Sequence, residues 1–144
     1  MRYGAIRPVQ TDVTHRRLLR ARDFMYERHA DHIDLDAVAR EARLSRFHLL
    51  RTFRARFGET PHAYLTRVRL ERAKELLAST DMPVTQVCFD VGFESLGSFS
   101  TLFARAEGAP PSSYRRRLRV LAQVPAALRS PFIPFCFVER FSGF

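Results

Sequence analysis

At 144 residues, 46% of them hydrophobic, the chain suffices for one ordinary domain or for two very small ones sharing a linker. Lys and Arg number 24 against 15 Asp and Glu, and the resulting charge of +9 predicts attraction to a polyanion, although an anionic membrane surface would also satisfy it. Cys88 and Cys136 lack CxxC or Cys/His spacing, so neither a zinc site nor a disulfide framework is expected; no signal peptide and no apolar run approaching ~18 residues is present, which predicts a cytoplasmic protein without a membrane span.

Residues 1–13 contain Gly4, Pro8 and two arginines without periodicity and read as a loose arm. From Thr14 to about His29 the pattern is helical, with Leu18, Ala21 or Arg22, and Met25 on one face, as expected of a helix that covers the unit following it. Asp34 is placed to cap a helix over 35–42, with Ile33 and Val38 at the spacing of a hydrophobic staple. Leu44 closes the turn, Ser45 caps a helix over 46–57 whose buried stripe is Leu49, Leu50 or Phe53, and Phe57, and Gly58 ends it. Thr60-Pro61 then opens a helix that runs to about Ala78 and carries Tyr64, Leu65, Val68, Ala73, Leu76 and Leu77, enough apolar surface to touch elements on both sides of it. At ~1.5 Å per residue that helix is roughly 27 Å long.

After Pro83 the same grammar returns. Leu35, Val38, Ala39 and Ala42 recur 49 residues later as Val84, Val87, Cys88 and Val91; beyond the turn the offset becomes 50, so that Leu49, Phe53, Gly58, Pro61 and Tyr64 recur as Phe99, Phe103, Gly108, Pro111 and Tyr114. One extra residue in the second turn explains the change. Short helix, tight turn, second helix, repeated, is a tandem pair of helix-turn-helix units. The expected fold is therefore all-α: unit one over about 14–60, a linker helix over about 61–78 and unit two over about 82–115, within a domain spanning 14–120. A run of arginines follows Tyr114, and residues 121–144 form a tail rich in proline and phenylalanine with no clear period.

These residues resemble the DNA-binding domain of the AraC/XylS family of bacterial transcription regulators. The resemblance covers roughly Asp34 to Arg116 and is strongest at Gly92-Phe93, Phe99, Phe103, Gly108, Pro111 and Tyr114-Arg115. It implies a homeodomain-like, two-lobed helical domain that presents two recognition helices to successive major grooves on one face of duplex DNA. Such grooves lie about 34 Å apart, a separation a linker helix of this length is able to bridge. The resemblance also implies that regulators of this kind carry a sensing or dimerisation domain. Only about 33 residues precede Asp34, where the resemblance begins, so the chain reads as a short stand-alone member or a fragment, acting as a monomer on DNA without an effector domain. The chain departs from the family pattern at Glu107, where a large apolar residue such as Phe57 is usual, and at Thr101, where an arginine is common.

The candidate DNA contacts divide unequally between the units. The first recognition helix offers Arg46, Phe47, His48, Leu50, Arg51 and Arg54; the second offers Ser95, Leu96, Ser98, Ser100, Thr101 and Arg105. Forked guanidinium groups make bidentate guanine contacts worth ~1–3 kcal/mol of discrimination each, whereas Ser and Thr reach less far. Most base readout is thus expected from Arg46 to Arg54, with Phe47 against thymine methyls, and phosphate contact and sensitivity to DNA shape from the second helix. Gly92, Phe93, Phe99, Phe103 and Tyr114 read as turn and core, and Arg67, Arg69 and Arg72 as surface charges within reach of Glu71 and Glu75.

The leading function is a sequence-specific DNA-binding regulator, of the nucleoid in a bacterial cell, with RNA polymerase as a further partner. No metal or cofactor is expected. His15, His29, His32, His48 and His62 show no HExxH-like spacing, and no nucleophile elbow or phosphate loop is present, which argues against an enzyme. A third reading is nonspecific basic binding or an interaction module that uses the Phe-rich tail.

Overall fold

The computed structural model describes residues 8–123, with side chains from residue 13. Among the described residues all regular structure is helical: α1 (Pro8–Glu27), α2 (Leu35–Glu41), α3 (Arg46–Phe57), α4 (Pro61–Ser79), α5 (Val84–Asp90), α6 (Leu96–Glu107) and α7 (Pro111–Gln123). The Phe-rich tail lies outside them.

Local chemistry fixes the ends of these helices. Asp34 Oδ1 accepts the Ala37 N–H at 2.6 Å, and Ser45, Thr60 and Ser95 each accept the N–H three residues on at 3.2–3.3 Å. Such caps satisfy donors that the first helical turn leaves unpaired. At the other ends of α3 and α6, Gly58 and Gly108 take the left-handed conformation, with φ of 77° and 73°, and turn their N–H groups back onto Arg54 O and Ala104 O. Inside the two helix-turn-helix turns the pattern also repeats: Leu44 N–H donates to Ala39 O at 3.0 Å and Phe93 N–H to Cys88 O at 3.1 Å.

Two hydrophobic cores result, and α4 belongs to both. The first gathers Leu18, Ala21 and Met25 of α1, Val38, Ala39 and Ala42 around α2, Leu49 and Phe53 of α3, and Tyr64, Leu65 and Val68 of α4. The second gathers Leu70, Ala73 and Leu77 of α4, Val87, Cys88, Val91 and Phe93 around α5, and Phe99 and Phe103 of α6. Leu18, Ala21 and Met25 have the same spacing as Leu70, Ala73 and Leu77, so the second half of α4 gives lobe two what α1 gives lobe one. The aromatic centres match as well. Phe53 meets Tyr64 edge-on at 5.8 Å, and Phe103 meets Tyr114 edge-on at 5.3 Å. Such contacts add to the area each ring buries.

Several expectations are sharpened. Of the alternatives on α1 and α3, Ala21 and Phe53 are the buried ones, whereas Arg22 is half-buried and Leu50 exposed. The first helix begins at Pro8 rather than Thr14, with Pro in a first-turn position where its missing N–H costs nothing. The arginines after Tyr114 stand on α7, which opens at Pro111 as α4 opens at Pro61. The departure at Glu107 also has a physical account. Its carboxylate lies 3.2 Å from Lys74 Nζ, which is 3.2 Å from Glu71 too, so a half-buried ion pair closes α6 on α4 where Phe57 uses a ring. Burial draws the Lys74 ammonium down, but the two carboxylates outweigh it and its pKa is raised. A raised lysine pKa stabilises the fold below the ordinary lysine range, and this contribution is lost only as pH rises through the raised value.

Phe53→Ala and Phe103→Ala are each expected to lower the free energy of unfolding by about 3–5 kcal/mol, the usual cost of emptying a packed aromatic site; urea denaturation measures this, and a loss under about 1 kcal/mol at either position would contradict the packing. Burial also raises the Cys88 thiol pKa. With Cys136→Ser in place, Cys88 should therefore resist Ellman's reagent under native conditions and react once urea is added.

Candidate nucleic-acid interface

The second helix of each helix-turn-helix unit, α3 or α6, is held by two buried side chains one turn apart, Leu49 and Phe53 or Phe99 and Phe103. The remaining faces turn outward. On α3, Phe47 is 86% exposed, a high value for a phenylalanine, and Leu50, Arg51 and Arg54 are also exposed, with His48 half-buried. On α6, Leu96 is 39% exposed; Ser98, Thr101 and Arg105 are exposed, and Ser100 is half-buried. All twelve candidate residues thus lie on the open surface or at its edge, in two groups, one per lobe, with α4 between.

Part of the basic surface elsewhere is neutralised by ion pairs. Arg67 Nη2 lies 2.7 Å from Glu59 Oε1, Arg72 pairs with Glu75, Arg28 with Asp31 and Arg119 with Asp81. The Glu59 hydrogen bond is also the main reason the Arg67 pKa is raised. By contrast, Arg51, Arg54 and Arg105 carry no ion pair among the described residues. Arg46 is different from its neighbours, since its Nε sits 3.2 Å from Asp36 Oδ1 on α2. That pair is largely exposed, so it orients Arg46 weakly and is easily exchanged for a phosphate. Arg56 faces away from this surface and donates to His15 Nδ1 on α1 at 3.2 Å.

The caps affect the site too. Ser95 Oγ already accepts the Ser98 N–H, which leaves its hydroxyl hydrogen available to a phosphate oxygen at the N-terminus of α6. In α3, Thr52 turns its hydroxyl back to His48 O at 2.6 Å and takes no part in the outer face. Sequence reading did not single out Phe89 of α5, 54% exposed beside Gln86 and Asp90, because the short helix before a turn gives too few residues for a face to show as a period.

The arrangement can do electrostatic and hydrogen-bonding work on a long polyanion. A concavity lies elsewhere, in the groove between α1 and α4, where Asp23, Glu27, Glu59, Glu71 and Glu75 outnumber Arg22, Arg67 and Arg72. No three His, Cys, Asp or Glu side chains gather as a metal site among the described residues, and no described helix is long and apolar enough to cross a membrane.

Comparison with known proteins agrees with this geometry. A protein family described as "Helix-turn-helix domain" matches residues 38–117. The chain is 34% identical over 96 residues to the MmsAB operon regulatory protein of Pseudomonas aeruginosa, covering 67% of this chain and 31% of that one. It is 38% identical over 87 residues to the transcriptional activator RhaS of Escherichia coli, covering 60% and 31% respectively. The chain therefore spans about a third of the length of these relatives. The DNA-binding domain of AdpA, solved in complex with a target DNA, superposes with a TM-score of 0.71 at 29% identity, over 74% of this chain and 97% of that domain. Repeat, fold and matched residues agree: the chain belongs to the AraC/XylS family of helix-turn-helix transcription regulators.

Proposed function

We propose that the protein recognises duplex DNA by sequence, laying α3 and α6 in successive major grooves, and that it regulates transcription from the sites it occupies. The observation that carries this is the outer face of α3. Unpaired Arg51 and Arg54 and a phenylalanine that is 86% exposed stand on a helix fixed by a turn, a cap and a buried stripe. A solvated charge run would not hold an exposed aromatic in register with two forked cations. The DNA complex of the AdpA domain, which shares this fold, supports the same reading.

In this reading Arg51 and Arg54 reach guanine edges, Phe47 meets thymine methyls, and Arg46, released from Asp36, binds phosphate or base. His48 and Leu50 line the edge of that contact. Ser95, Ser98, Ser100, Thr101 and Arg105 give α6 a shorter reach: phosphate contacts, and Leu96 or Thr101 against a methyl group. The module made by α1–α7 performs this binding without catalysis, in the cytoplasm, as a monomer; contact with RNA polymerase would follow from where the site lies in a promoter.

In-vitro site selection followed by titration tests the proposal. Arg51→Ala should weaken the selected site by about 1–3 kcal/mol, roughly 5- to 150-fold, while binding to unrelated DNA changes far less. Ser98→Ala should stay within about threefold on both. Equal losses at the two positions would remove the asymmetry between α3 and α6. Recovery of no enriched sequence would reduce the protein to a nonspecific basic binder. Affinity should also fall with log salt at a slope near −0.9 per phosphate neutralised, and Arg105→Ala should reduce that slope by about one.

A further inference from the structure

Arg69 stands between Val68, the last α4 residue of the first core, and Leu70, the first of the second. Its Nε donates to His29 O at 2.7 Å and Nη2 to Asp31 O at 2.9 Å, both in the loop joining α1 to α2. The same guanidinium lies over the Phe93 ring, 5.9 Å from its centroid, in the turn of the other lobe. One side chain therefore touches the first lobe's loop and the second lobe's turn. Burial lowers its pKa, and Glu94 partly offsets that.

Gly92 meets this junction from the other side. A Cβ built there would stand 2.7 Å from His29 O, 2.9 Å from Ala30 O and 3.0 Å from Arg69 Nε. In lobe one the corresponding turn position holds Arg43 at a φ of 53°, so that turn accepts a side chain, while Gly92 has a φ of 93° and the other lobe's backbone lying on it. Glu94, the extra residue that shifts the repeat from 49 to 50, lies between Phe93 and Ser95 and reaches His32 Nδ1 at 2.7 Å. That last pair is largely exposed and contributes little. The Arg69 bonds are charge-assisted, and removing them leaves two carbonyls without their partner.

We propose that the Arg69–Gly92 junction fixes the angle between the lobes and thereby sets the half-site spacing that α3 and α6 accept. Arg69 is on this view a positioning residue and makes no DNA contact. The inference rests on the DNA-binding reading above. Its physical basis is that α4 links the lobes but a helix can bend and twist; closure at its middle preorganises the bivalent contact at a single spacing.

Two measurements separate the junction from the DNA reading. In protein carrying Cys88→Ala and Cys136→Ser, nitroxides attached at Ala55→Cys and Ala106→Cys, exposed positions on α3 and α6, report the interlobe distance by pulsed electron resonance without DNA. A single narrow distribution is expected, broadened by Arg69→Gln and by Arg69→Lys, which keeps the charge but not the fork, and displaced by Gly92→Ala. The second measurement titrates the selected two-half-site DNA, the same DNA with one base pair inserted or deleted, and a single half-site. The parent protein should prefer the selected spacing by about tenfold or more, and the Arg69 variants should lose most of that preference while keeping their affinity for the single half-site. Glu94→Gln should retain it.

An unchanged distance distribution in Arg69→Gln together with intact spacing preference would overturn the proposal. So would an equal loss on single and paired half-sites, or full rescue by Arg69→Lys, either of which marks a DNA contact. If the parent protein selects no bipartite site, the DNA reading falls, and the distance measurement still decides whether the junction holds the lobes.

Discussion

Both hydrophobic cores close on one helix. Tyr64, Leu65 and Val68 complete the first and Leu70, Ala73 and Leu77 the second, so the 19 residues of α4 are buried along two different faces in succession. Neither recognition helix can be seated without it. A lobe this small buries too little apolar surface to be comfortably stable alone, and sharing a wall lets each core exploit area that a separate helix would have had to supply twice. The shared helix also sets the scale of the molecule, since roughly 28 Å of continuous α-helix resists bending better than any loop of equal span.

The division between core and surface follows from this arrangement. Stripes such as Leu49–Phe53 and Phe99–Phe103 are consumed in packing, and the motif positions that identify the family are among them. What remains outward on α3 and α6 is free of packing constraints. That is where the two copies differ most, in the arginines and phenylalanine of one helix and the hydroxyls of the other. Structural likeness between the lobes is maintained by the interior and chemical difference is concentrated on the faces that the proposed reading lays against DNA.

Much of this was legible in the sequence because its determinants are local. Asp34, Ser45, Thr60 and Ser95 cap helices through their own short side chains, Gly58 and Gly108 end them in a conformation few other residues adopt, and the repeat reveals the rest. α7 was readable in principle from Pro111, Tyr114, Leu118 and Leu121, but the arginines interleaved with them read as a run of solvated charge. The exposed face of α3 came from the same periodicity. The junction did not, because two of Arg69's partners are backbone carbonyls, which have no sequence signature, and an arginine with Glu71 and Glu75 nearby reads as a surface charge. Arg46's pairing with Asp36 escaped for a related reason, since the partners belong to different helices and only the turn between them brings the two together.

The repeat continues in Arg119 of α7, which lies 50 residues after Arg69 and pairs with the Asp81 carboxylate in the loop before α5, where Arg69 takes backbone carbonyls. Among the described residues that arginine answers its own lobe's loop. The loop that precedes α5 runs over 80–83, against 28–34 before α2, and Arg43 rather than glycine fills the first turn. Donor loop and receiving turn are thus each built once and on opposite copies. The contact has a direction: first copy onto second, never the reverse. An asymmetric contact between similar units would ordinarily be free to propagate from molecule to molecule into an open chain. Here the complementary surfaces meet one another within a single polypeptide, so this contact does not run on from molecule to molecule.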